Sequence, residues 1–248
     1  MKRLALILVL LASRLNAATV THEIITADSG NTPNTSGAFT PALNDLLVVC
    51  AVGSVTGAAT ATMVSSVGGF TFTQILNVPY AADVNMMYCF VSNALVSSAT
   101  SQTVEFAPQG DIANGSVIAV EAVAGITRTG LNAILQNANQ ANQAASTTPA
   151  PSFASSALTG NPTIGFVANN SNPAGLTGPS GWTEAGDTGY TLPTTGAEIV
   201  FRNSGFTGTT ITWGSTSATV FGSIILEIDT SSPLSCNHAL TLLGAGCS

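Results

Sequence analysis

The chain has 248 residues, 45% hydrophobic and only 7% charged, with a formal net charge of −7. That much apolar residue with so little charge excludes a disordered chain, and the length accommodates one large or two medium domains. Of the five basic residues, Lys2, Arg3 and Arg14 sit in the opening segment, leaving Arg128 and Arg202 against twelve acids; so few cations cannot match a phosphate backbone, which excludes nucleic acid as a partner.

In chain order, MKRLALILVLLASRLNAATV sets a basic start before an apolar run, Leu4 to Ala12, with small residues at Ala17 and Ala18. Residues 1–18 are therefore expected to be an export signal, or else an apolar arm that docks on a partner. The run falls short of the roughly 20 residues a bilayer requires, and no later run is longer, so no membrane span is expected in the mature chain.

From there the sequence reads as short strands rich in Val, Ile, Thr, Phe and Tyr, separated by Gly, Asn, Pro and Ser. In the first half they fall near 20–27, 46–53, 70–77, 85–93, 102–107 and 116–124, and in the second near 133–138, 162–169, 182–186, 196–203, 209–214 and 222–229. The halves repeat: GGFT at 68–71 answers SGWT at 180–183, YCFVSN at 88–93 answers IVFRNS at 199–204, and VEF at 104–106 answers ITW at 211–213. Near the ends, GSVIAVEAVAG answers GSIILEID, and a register that keeps apolar on apolar matches Ile118, Val120 and Ala122 with Ile224, Leu226 and Ile228, and Glu121 with Glu227. The tract LNAILQNANQANQAA, read by its counterpart THEIITADSGN, is an opening strand running into a polar linker.

The expected fold class is all-β, with two tandem related antiparallel β-sandwich or jelly-roll-like domains. The first spans 19–126, residues 127–155 supply the second repeat's opening strand and a linker, the second domain spans 156–230, and 231–248 form a tail bracketed by cysteines. A rival arrangement is one larger sandwich whose sheets share strands from both halves. The pattern LNDLLVVCAVG, VSSVGGFTFTQI, MYCFVSNAL, QTVEFAP and GSVIAVEAVAG, followed by its degenerate copy, resembles tandem β-sandwich proteins among uncharacterised phage virion-associated and exported bacterial surface proteins. The resemblance implies a structural or attachment role on a particle or cell surface.

Four cysteines fit an oxidising compartment. Cys236 and Cys247 close a short tail loop and are expected to pair; Cys50 and Cys89, in apolar strands, are either paired across strands or small buried hydrophobes. No cysteine spacing suits zinc, so no metal or other cofactor is expected. Trp182 and Tyr190 are candidate glycan contacts, although the repeat sets Trp182 on Phe70 and Trp213 on Phe106, which reads as core. Glu184 and Asp187 sit three apart in an expected loop, Asp111 and Asn114 in an expected turn, and neither pair has the oxygen-rich surroundings calcium needs. No buried charge is expected. No base stands near a serine nucleophile, and His22 and His238 lie near opposite ends.

These readings converge on a non-enzymatic, extracellular or surface structural and adhesive protein that self-associates or binds other surface or virion proteins. A carbohydrate-binding module and a phage virion decoration or fibre subunit are the alternatives.

Overall fold

The computed structural model describes residues 17–30, 33–54, 61–65, 69–81, 84–108, 115–146, 148–170, 176–191, 194–215 and 218–231. Residues 1–16 of the expected leader, Asp111 with Asn114, and Cys236 with Cys247 lie outside these residues. All the strands pair antiparallel.

The first half contributes β1 (Thr19–Asp28), β2 (Asn34–Thr35), β3 (Leu46–Gly53), β4 (Ala61–Ser65), β5 (Phe72–Tyr80), β6 (Asn85–Ser92), β7 (Val104–Pro108) and β8 (Ser116–Ala124). After a 3-10 turn at Gly130–Ala133 come β9 (Ile134–Ser146), β10 (Thr163–Asn169), β11 (Leu176–Thr177), β12 (Thr183–Thr191), β13 (Thr194–Arg202), β14 (Gly214–Ser215) and β15 (Thr219–Ile228). Two five-stranded sheets run β1-β8-β3-β6-β5 and β12-β13-β10-β15-β9, and small sheets β2-β7-β4 and β11-β14 accompany them. No described strand joins a sheet of the other half.

Read from its other end, the second large sheet is β9-β15-β10-β13-β12, so each strand has a counterpart at the same place in the first. Irregularities repeat as well. The edge strands β5 and β12 both bulge, between Gln74 and Leu76 and between Glu184 and Gly186, and β1 and β9 bulge between His22 and Ile24 and at Leu135. Duplication is therefore visible in pairing as well as in sequence.

Four layers result. The two large sheets meet through Val48, Cys50, Met87, Cys89 and Ala119 on one side and Ile164, Phe166, Ile199, Ile224 and Leu226 on the other. On the far face of the first sheet, Leu47, Val49, Tyr88 and Val120 pack on Val104 and Phe106 of β7. On the far face of the second, Val167, Val200 and Ile225 pack on Ile211 and Trp213. Strands β3, β6 and β8 are thus covered on both sides, which is why they read as unbroken apolar runs rather than alternating ones.

This double burial corrects the strand register drawn from sequence. Ile118, Val120 and Ala122 face the small sheet, whereas Ile224, Leu226 and Ile228 face the other large sheet. A one-residue slip exchanges faces, so the counterpart of Gly115-Ser116 is Gly222-Ser223 after all. Glu121 then occupies the face of Ile228, an interior position, and is not the counterpart of Glu227. The tract after Ile134 also differs from expectation: the strand continues to Ser146, through residues read as linker.

The halves hold each other reciprocally. β1 packs on β12, and β5 on β9. Tyr190 lies on Gly115, where a Cβ would come within 2.5 Å of Tyr190 Cδ2, and Tyr80 lies on Gly222, where a Cβ would come within 2.9 Å of Tyr80 Cδ1. Asn203 Oδ1 accepts a hydrogen bond from Val20 N at 2.6 Å. Asn93 is its counterpart once the repeat is aligned on the bulges at Ile75 and Ala185 rather than on the sequence match of 88–93 with 199–204, and its Oδ1 is 3.2 Å from where a Cβ on Gly130 would lie. Such pairs are the signature of an isologous interface, here between two parts of one chain.

Cys50 and Cys89 are directly opposite on β3 and β6 and form a disulfide, with Cα atoms 4.1 Å apart. The cross-strand alternative is thus the correct one for this pair.

Candidate functional site

Three carboxylates lie inside the sheets where no buried charge was expected: Glu121 and Glu227 at 0% exposure and Glu198 at 1%. Each sits singly in an apolar strand, in SVIAVEAVA, TVFGSIILEI and TTGAEIVFR. Their environments differ.

Glu227 faces outward on β15 and is fully engaged. Its Oε1 accepts from Leu158 N and Asn161 Nδ2, both at 2.8 Å, and its Oε2 from Gln136 Nε2 at 2.5 Å. A carboxylate so provided with donors ties β15, β9 and the 158–161 turn together.

Glu121 lies opposite His22 of β1 and Val48 of β3, and its Oε1 meets His22 Nδ1 at 2.6 Å. Its Oε2 is buried without a hydrogen bond. Burial pushes the carboxyl up to about 7, against the lowering pull of His22, and Glu23 adds to the rise. Glu23 is itself raised by burial and by Asp45. The pair is at the contact between halves: at Gly186 of β12 a Cβ would lie 3.6 Å from His22 Nε2 and 2.8 Å from Ile25 Cγ2.

Glu198 faces outward on β13, directly opposite Asp187 of β12 and Val167 of β10. Glu184 and Asp187 are on β12, not in a loop. Three residues apart on a regular strand they would point to opposite faces, but the bulge at Ala185 restores both to the face of Glu198 and Val200. Burial first, and then the charges of Glu184 and Asp187, push Glu198 up to about 8, so it holds its proton at neutral pH. The Trp213 indole N–H pulls the other way, in a geometry that satisfies neither Glu198 Oε1 nor Trp213 Nε1. Gly178 closes over the carboxyl, with space for a Cβ only 3.0 Å from Glu198 Oε1.

The two candidate glycan contacts differ in their surroundings. Tyr190 is 3% exposed, and its hydroxyl is 2.6 Å from Ser54 Oγ of the other half. Trp182 is half-buried, edge-on to Phe206 with ring centroids 5.3 Å apart, and packs on the cluster around Trp213. Trp213 and Phe106 are both fully buried, in keeping with their place in the repeat. Among the described residues no group of three His, Cys, Asp or Glu could hold a metal ion, and no helix is long and apolar enough to cross a membrane.

Compared with known protein families, curated proteins and solved structures, the chain matches none of them. The class therefore rests on the architecture: a two-sheet, all-β fold of generic sandwich type, built from two similar five-stranded antiparallel sheets. It has a non-catalytic look, compatible with a structural or adhesive role. Glu121 and Glu198 were missed in the sequence because a carboxylate within an apolar run gives no sign of which face it takes when both faces are covered.

Proposed function

We propose that this chain is a non-enzymatic structural or adhesive component of an extracellular, cell or virion surface, working through association with copies of itself or with neighbouring surface proteins. The observation that carries the reading is that its unusual acids are sealed within the sheets, with Glu121 at 0% and Glu198 at 1% exposure, so they are not presented to a substrate. A proton donor must reach the reacting atoms to act in catalysis. The Cys50–Cys89 disulfide supports an oxidising destination, where such bonds persist. The leader-like opening and the resemblance to exported and virion-associated sandwich proteins agree with it.

The test is to isolate the protein from its native source, determine its N-terminus by mass spectrometry, and measure its assembly state by sedimentation. Export with removal of about the first 18 residues and a defined oligomer or surface complex are the expected results. A reduced, full-length monomer in the cytoplasm overturns the proposal. Retention of the protein on a glycan column, lost in Trp182→Ala with the fold intact, would instead favour a carbohydrate-binding module.

A further inference from the structure

We infer that the edge of β9 over residues 136–142 is a pairing site for a second copy of this chain. The inference rests on the self-association reading above and names the surface through which it works. A sheet edge offers unpaired backbone N–H and C=O groups, and proteins that must not pair there place charges, proline or bulges along it. Three of the four edges of the large sheets add charge or proline to a bulge. β1 has a bulge and the charges of Glu23 and Asp28, β5 has a bulge and Pro79, and β12 has a bulge with Glu184 and Asp187.

β9, ILQNANQANQAAS, has no charge and no proline. It bulges at Leu135 and its register shifts again between Asn142 and Ser146, and between these, from Gln136 to Asn142, the ladder to β15 is regular. Gln136 and Gln140 turn to the covered face, bonding Ser155 and Ala150 N. Leu135, Asn137, Asn139 and Ala141 are exposed.

The side-chain chemistry selects a second copy as the occupant. An amide carries both donor and acceptor, so identical amides facing each other are complementary, whereas identical charges repel. On a chain of net charge −7, an uncharged edge is where two copies approach without that repulsion. An antiparallel pairing about a two-fold axis at Asn139 sets Asn139 opposite Asn139, Asn137 opposite Ala141 and Ala138 opposite Gln140. Nothing bulky or charged meets its like, and the sheet continues from one molecule into the next.

The test is sedimentation velocity of the full chain over a concentration series, with hydrogen exchange of the wild type at low and high concentration. An edge-only contact is smaller than a standard interface, so dimerisation is expected at roughly 0.1 mM, with slowed exchange over residues 136–142 in the dimer. Asn139→Glu places two carboxylates opposite each other and is expected to weaken the dimer by about tenfold or more, while Asn139→Gln keeps it. An oligomer that Asn139→Glu leaves unchanged and that gives no protection at 136–142 overturns the edge assignment but not the self-association reading. A wild-type chain that stays monomeric to about 1 mM, without change in exchange, overturns the pairing itself; the exchange measurement decides the question even if Asn139→Glu does not fold.

Discussion

Replacing Glu198 by Gln removes a proton-binding group from beneath Gly178 while keeping its shape. In the folded chain this carboxyl is raised from 4.5 to about 8, first by burial and then by Glu184 and Asp187. A carboxyl with a raised folded value binds its proton more tightly folded than unfolded, so its stabilising effect is complete below pH 4.5 and lost as pH climbs to about 8. At about 1.4 kcal/mol per pH unit the interval caps the loss near 5 kcal/mol; Glu184 and Asp187 are exposed and screened by water and salt, leaving roughly 2–4 kcal/mol. Urea denaturation at intervals from pH 4.5 to 8.5 is the assay. Glu198→Gln and wild type should agree at the acid end, and the variant should be more stable by that amount at the alkaline end. Parallel curves over the whole range would refute the argument. Glu121, raised to about 7, adds its own slope to both proteins and so cancels from the difference.

Other consequences are as direct. Losing the Cys50–Cys89 bond in a Cys50→Ala, Cys89→Ala double variant should cost about 4 kcal/mol on chain-entropy grounds for a sequence separation of 39, seen as a lower urea midpoint than that of the oxidised wild type. Gly115→Ala forces a Cβ to within 2.5 Å of the Tyr190 ring at a φ of +146°, and a loss of about 3 kcal/mol is expected. Gly222→Ala meets the flexible end of Met87 as well as Tyr80, and should cost less, about 1–2 kcal/mol, in the same titration. Tyr190→Phe removes the hydroxyl bonded to Ser54 and should lower stability by about 1 kcal/mol without changing the far-ultraviolet circular dichroism.

Much of the architecture was legible in the residues. Strand-forming runs between turn residues located β3, β6, β8, β10, β13 and β15 closely, and aromatic matches such as Phe106 with Trp213 exposed the duplication. Of the short cover strands β7 was legible, near 102–107, whereas β2 and β11 have two residues each, too few for any periodicity to register, and the strand expected near 209–214 is confined to β14 at Gly214–Ser215. Nor was the choice of face. When a strand is buried on both sides, apolar matches apolar in either register, and only the opposing layers distinguish Ile118 from Val117. The buried acids followed from that loss of phase, since Glu121 in SVIAVEAVA sits equally well on either side of a sheet until its neighbours are known. For β9 the obstacle was composition: alternating Asn, Gln and Ala resemble a linker, and pairing to β15 makes them a strand.

The reciprocal Tyr–Gly contacts carry a consequence for how such a chain behaves on dilution. Two separate polypeptides with this interface would part company as their concentration fell, but tethered halves remain at a fixed local concentration set by the connecting segment. Once the partner is always present, neither half must stay self-complementary. One copy can then be covered by the three strands β2-β7-β4 while the other is covered by the 149–153 and 209–213 segments, and Glu121 can stand in one copy where the other has Ile228.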